Sequence, residues 1–155
     1  MNRSESPRHP VYPPLRGGPA DFLKYDLTSV ADSQARVAVF VPVAEEIKTL
    51  LLEAGFPVHH DDPMHLGHQS GVCLSIDPGV GVVVLWKLPA ELNTRFKNAV
   101  RRTAADPGVI AHWETVRSAM ARALAEILRV NGYPLAVGEN DLEPDAIYVQ
   151  GARPS

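Results

Sequence analysis

Four of the chain's six histidines fall within ten residues, in the run His59-His60-Asp61-Asp62-Pro63-Met64-His65-Leu66-Gly67-His68. Imidazole nitrogen and carboxylate oxygen are the donors that borderline and hard divalent cations take. The expected metal set is therefore His59, His60, Asp61, Asp62, His65 and His68, with zinc or another divalent metal as the ion. The spacing matches no compact signature: there is no HExxH, no paired CxxC and no helical i, i+4 pair of histidines. Histidines this dense also titrate together between about pH 5 and 7, which would make the segment pH-responsive.

Two charged stretches could meet a partner. Glu139, Asp141, Glu143 and Asp145 stand at every other position, so an extended backbone would put them on one side. The helix expected over residues 92–105 carries Arg95, Lys97, Arg101 and Arg102 and no acid, with Arg95, Arg101 and Arg102 read as one face. That face could pair with the acidic loop or touch phosphate. Four cations without interleaved aromatics, on a chain of net charge −3, argue against a nucleic-acid partner.

Nucleophiles and cofactor motifs are lacking. Cys73 falls inside an expected strand and reads as a small buried hydrophobe. Ser75 has no strand–turn–helix elbow, and no glycine-rich stretch is followed by the lysine and helix of a phosphate cradle. One cysteine rules out an internal disulfide and any Cys-rich zinc module. No apolar run approaches a membrane span, and the expected setting is cytoplasmic.

The elements that must position these residues follow from the apolar pattern. The chain has 155 residues, 45% of them hydrophobic, enough for one domain with a modest core. Residues 1–20, rich in proline and glycine, are expected to form a disordered arm, with a single α+β domain over 21–155. Val37–Val41 favours a strand by its valine density and by the proline that follows; one long helix through Pro42 is the alternative. Val43, Ile47, Leu50, Leu51 and Ala54 keep a helical period that Gly55 ends, and Glu45 and Glu46 near its start suit the positive end of the dipole. Val72–Ile76, Asp77-Pro-Gly and Val82–Trp86 form a hairpin, its second strand apolar on both faces and so central. A last helix is expected over 113–131, capped by Gly132.

The two helix ends resemble each other. Leu50-Leu-Leu-Glu-Ala-Gly-Phe-Pro-Val58 aligns with Ile127-Leu-Arg-Val-Asn-Gly-Tyr-Pro-Leu135, and Val43, Ile47 and Leu51 with Met120, Leu124 and Leu128. The expected architecture is a two-layer α+β sandwich, its sheet antiparallel or mixed, with an internal helix–strand–strand duplication that sets loops 59–71 and 136–145 at related positions.

The functional expectation is a non-catalytic accessory or interaction protein that contacts an unknown protein partner through those paired loops; self-association is open to it. A metal-binding protein or metal-dependent enzyme centred on His59–His68 is the alternative. A nucleic-acid-associated regulator using the basic helix is the second alternative.

Overall fold

The computed structural model describes residues 30–60, 70–101, 106–137 and 144–155, His60 through its backbone alone. The expected arm, residues 1–20, and the expected start of the domain near residue 21 lie outside the described residues. Three helices and a five-stranded mixed sheet make an α+β fold. Helix α1 spans Val30–Glu53, α2 Ala90–Arg101 and α3 Pro107–Val130. The strands are β1 Val58–His60, β2 Gly71–Asp77, β3 Gly81–Lys87, β4 Leu135–Val137 and β5 Ile147–Val149.

Helix α1 corrects the strand reading of Val37–Val41. Phe40, Val43, Ala44, Ile47 and Leu51 are buried at helical intervals, so the apolar stripe begins before Pro42 and runs through it. Burial of that stripe outweighs the β preference of the valines. Pro42 is tolerated because it stands on the exposed side, where the carbonyl it leaves unbonded, that of Ala38, faces water. Starting at Val30 also moves Glu45 and Glu46 to mid-helix, away from the dipole end. Helix α3 likewise begins earlier than expected. Asp106 is its N-cap, its Oδ1 accepting from the backbone N–H of Gly108 (3.0 Å) and Val109 (3.3 Å), with Pro107 in the first turn.

The strand order is β1-β2-β3-β5-β4, with the β2–β3 hairpin at its middle and β3 central. β1 pairs parallel with β2, Val58 opposite Val72; the other pairs are antiparallel. Alternation sends Val72, Leu74, Val82, Val84, Ile147 and Val149 to one face, where α1 and α3 cover them. Ile47, Leu51, Leu124 and Leu128 are fully buried in that layer, each worth about 1.5–3 kcal/mol of apolar burial.

Both helix ends close in the same way. The N–H of Gly55 reaches the Leu52 carbonyl and that of Phe56 the Leu51 carbonyl; Gly132 and Tyr133 repeat this on Arg129 and Leu128. Both glycines hold positive φ, 89° and 85°. The carbonyl of Pro57 then accepts from Val72 N–H and that of Pro134 from Gln150 N–H. Beyond this point the likeness stops. β1 runs parallel to its neighbour and β4 antiparallel to its own, so helix, cap and edge strand correspond while the next strand does not. The edge strands β1 and β4 occupy positions read from sequence as the beginnings of loops.

Candidate functional site

Glu46, Tyr133 and Arg153 meet where the middle of α1 passes the end of α3. On α1 the positions Pro42, Glu45, Glu46, Thr49 and Glu53 recur at three- and four-residue steps, a polar stripe beside the buried one. The cap at Gly132 turns the chain so that the Tyr133 ring enters the core, only 4% exposed, with its hydroxyl at the edge. Tyr133 Oη donates to Glu46 Oε2 at 3.2 Å, and Arg153 Nη2 donates to the same oxygen at 3.4 Å. The Arg153 guanidinium also lies 5.3 Å from the centre of the Tyr133 ring, a cation–π contact.

A cleft of about 580 Å³ opens over this group, lined by Pro42, Glu45, Glu53 and Asn131 among others. A second hollow of about 400 Å³ adjoins it, sharing Glu46, Asn131 and Arg153 and bounded by Gly132 and Pro154. Asn131 is held by its own helix, Nδ2 donating to the Ile127 carbonyl at 2.8 Å. Lys48 stands 3.9 Å from Glu45, while Glu53 has no cation partner among the described residues. Three carboxylates and one guanidinium thus line the cleft, one carboxylate paired with Lys48 and another with the guanidinium. Burial pushes the Tyr133 hydroxyl above its ordinary pKa; Arg153 pulls it down, and the hydrogen bond and charge of Glu46 push it up again. At neutral pH Tyr133 is a hydrogen-bond donor, not a nucleophile or base. Among the described residues the lining holds no imidazole, thiol or serine hydroxyl.

The residues read from the sequence are placed as follows. His59 is in β1, not in a loop, with Nε2 3.1 Å from the Ser70 carbonyl oxygen and Cys73 as its register partner on β2. His60 ends that strand; Asp61, Asp62, His65 and His68 lie outside the described residues. Among the described residues no three His, Cys, Asp or Glu side chains are grouped as metal ligands. Cys73 is buried in β2, as its strand pattern implied.

Arg95, Lys97 and Arg101 are exposed on α2 and have no acidic partner among the described residues; Arg102 lies outside them. Arg95 and Arg101, six residues apart, stand about 120° apart around the helix, whereas Lys97 and Arg101 share a side. The aromatic nearest in sequence, Phe96, stacks on Trp113 at 4.1 Å, and the Arg117 guanidinium lies 4.3 Å from the Trp113 ring centre. Trp113 Nε1 donates to Asn93 Oδ1 at 2.9 Å. Stacking and hydrogen bonding thus employ this tryptophan within the α2–α3 pair. Asp145, the last acid of the alternating series, pairs with Arg117 and accepts from Ser118 Oγ at 3.4 Å, rather than meeting α2. Glu139, Asp141 and Glu143 lie outside the described residues.

The Glu46–Tyr133–Arg153 group was not anticipated from sequence. Its members are 87 and 107 residues apart, counted from Glu46, and no local spacing links them. One signal was present: where the two aligned helix ends correspond, the first has Phe56 and the second Tyr133. No described helix is long and apolar enough to cross a membrane. Comparison of the chain with family models, curated proteins and solved structures gives no match.

Proposed function

We propose that this protein is a non-catalytic interaction protein and that it receives a lysine- or arginine-bearing segment of a partner protein in the α1 cleft. The observation that carries the reading is the cleft's lining: Glu46 and Glu53 beside Arg153, with the Lys48-paired Glu45 next to them and the apolar edges of Pro42 and Leu50 at hand. A hydroxyl and a guanidinium already fix Glu46, which pre-orients the floor; Glu53 at the rim is left to attract a cation. Charges so placed steer association and set orientation more than they add affinity. The exposed valines of α1, Val39 at 62% and Val41 at 45%, lie near Pro42 and offer apolar contact next to the charged rim.

The test is a titration of the isotope-labelled full chain with a short lysine- and arginine-rich peptide, and separately with a glutamate-rich one, followed by NMR. The basic peptide is expected to shift the amides of Glu46–Glu53, Asn131, Gly132 and Arg153, with an effect that fades as salt rises. Glu53→Lys should weaken it. Shifts produced equally by both peptides, or centred away from the cleft, would overturn the reading.

A further inference from the structure

Arg153 brings a cation of the chain's own into the α1 cleft. It stands four residues past the end of β5, in a segment, residues 151–155, that forms neither helix nor strand. Among the described residues that segment makes one hydrogen bond, from Arg153 Nη2 to Glu46 Oε2. The bond is long at 3.4 Å, and both side chains are half-exposed. A pair so wet holds the segment loosely.

The surroundings of the guanidinium are more specific than its strength. It has a carboxylate oxygen on one side and the Tyr133 ring on another, 5.3 Å from the ring centre. A carboxylate for the N–H groups and an aromatic face for the plane suit a guanidinium better than an ammonium. Neither partner depends on Arg153 for its position. The Tyr133 ring belongs to the core between helices and sheet, and its hydroxyl donates to Glu46 at 3.2 Å. Arg153 is common to the linings of both hollows, so moving it aside enlarges the cleft and bares Glu46.

We propose that Glu46 and Tyr133 form an arginine-binding site, that Arg153 occupies it in cis, and that a partner's arginine binds by displacing it. The site rests on the cleft's role as the seat of a basic segment, and it adds a preference for arginine over lysine and a restraint supplied by residues 151–155. Glu53, two turns along α1 from Glu46 and without a cation partner among the described residues, receives the incoming charge first. Tyr133 keeps Glu46 in place while the two guanidinium groups exchange. A tethered competitor acts at an effective concentration on the order of millimolar, so the arriving arginine must outcompete it.

The experiment titrates the full chain, by calorimetry and by NMR, with a short neutral peptide carrying one arginine and with the same peptide carrying lysine instead. Arg153→Ala is expected to bind the arginine peptide about fivefold more tightly than the parent does, and the lysine peptide at most about twofold more tightly. Arg153→Lys keeps the charge but not the planar fork, and should already gain about twofold for the arginine peptide. Arg153 is half-exposed, so neither substitution disturbs the core. Unchanged or weaker binding of the arginine peptide by Arg153→Ala, or equal gains for the two peptides, would overturn the arginine site and leave the cleft as a seat for basic segments. Absence of cleft shifts in the parent and both variants would overturn the two together.

Discussion

The two ends at which α1 and α3 turn into edge strands share backbone chemistry and differ by one oxygen atom in their aromatic residue. At the first, Phe56 packs edge-on against Trp86, ring centres 6.1 Å apart, and the contact is wholly apolar. At the second, the Tyr133 hydroxyl reaches across to α1 and binds Glu46, to which the C-terminal segment adds Arg153. The cap hydrogen bonds and the proline carbonyl that ties each turn to a strand are common to both. What separates a purely structural turn from one that borders a polar cleft is therefore the side chain, not the backbone. The surroundings of the strands differ as well. The backbone leaves no room for a side chain at Gly71, beside Pro57, and leaves room for one at Gly151, beside Pro134.

That contrast has its largest expected consequence at the two glycines. A Cβ on Gly71 would stand 2.6 Å from the Pro57 carbonyl oxygen, at a φ of +122°. Gly71→Ala is expected to cost more than about 3 kcal/mol in urea unfolding, because strain and clash act together on a buried backbone. Gly151→Ala meets only Pro134 Cγ at 3.9 Å and should stay within about 0.5 kcal/mol of the parent. Similar costs at both positions would erase the distinction between the two turns. The next effect tests what they share. Gly55 and Gly132 both have positive φ and open space around the missing Cβ, so only backbone conformation opposes alanine. Each substitution is expected to cost about 1–2 kcal/mol, and the two costs should agree. Unequal costs, measured by the same unfolding curves, would show that the caps are less alike than their hydrogen bonds.

Periodicity and punctuation made much of this fold legible. The hairpin around Asp77-Pro-Gly, the central place of β3, the glycine caps and the burial of Cys73 all follow from local patterns, because neighbours in sequence decide them. Val37–Val41 went the other way since its β preference was set against a stripe shared with residues up to Leu51, and shared burial is stronger than propensity. β1 and β4, three residues each, were too short to carry an alternation of their own; their neighbours in the sheet define them. The cleft was the least legible. Glu46 read as a charge near a helix start and Arg153 carried no reading, and only the fold brings them to Tyr133. The histidine run, the densest chemistry in the sequence, has just His59 and the backbone of His60 among the described residues.

The smallest effect belongs to the hydroxyl itself. Tyr133→Phe makes the second turn chemically like the first, and at neutral pH it should cost about 0.5–1.5 kcal/mol for the lost bond to Glu46. Its pH dependence is more telling. Burial first, and then Glu46, hold the proton on Tyr133 above the ordinary tyrosine value of 10.0, against the pull of Arg153. As pH rises past that value, the unfolded chain releases the proton while the folded protein keeps it. The folded state then binds more protons than the unfolded one, so stability falls with rising pH. This contribution is fully present below pH 10 and is lost as pH climbs through the raised folded value. Tyr133→Phe has no proton to lose at that position. The parent's advantage over the variant should therefore hold up to about pH 10 and shrink above it, when urea midpoints are compared at each pH. A gap that stayed constant would mean that the hydroxyl titrates alike in both states, and a widening gap would mean that the folded protein favours the ionised ring.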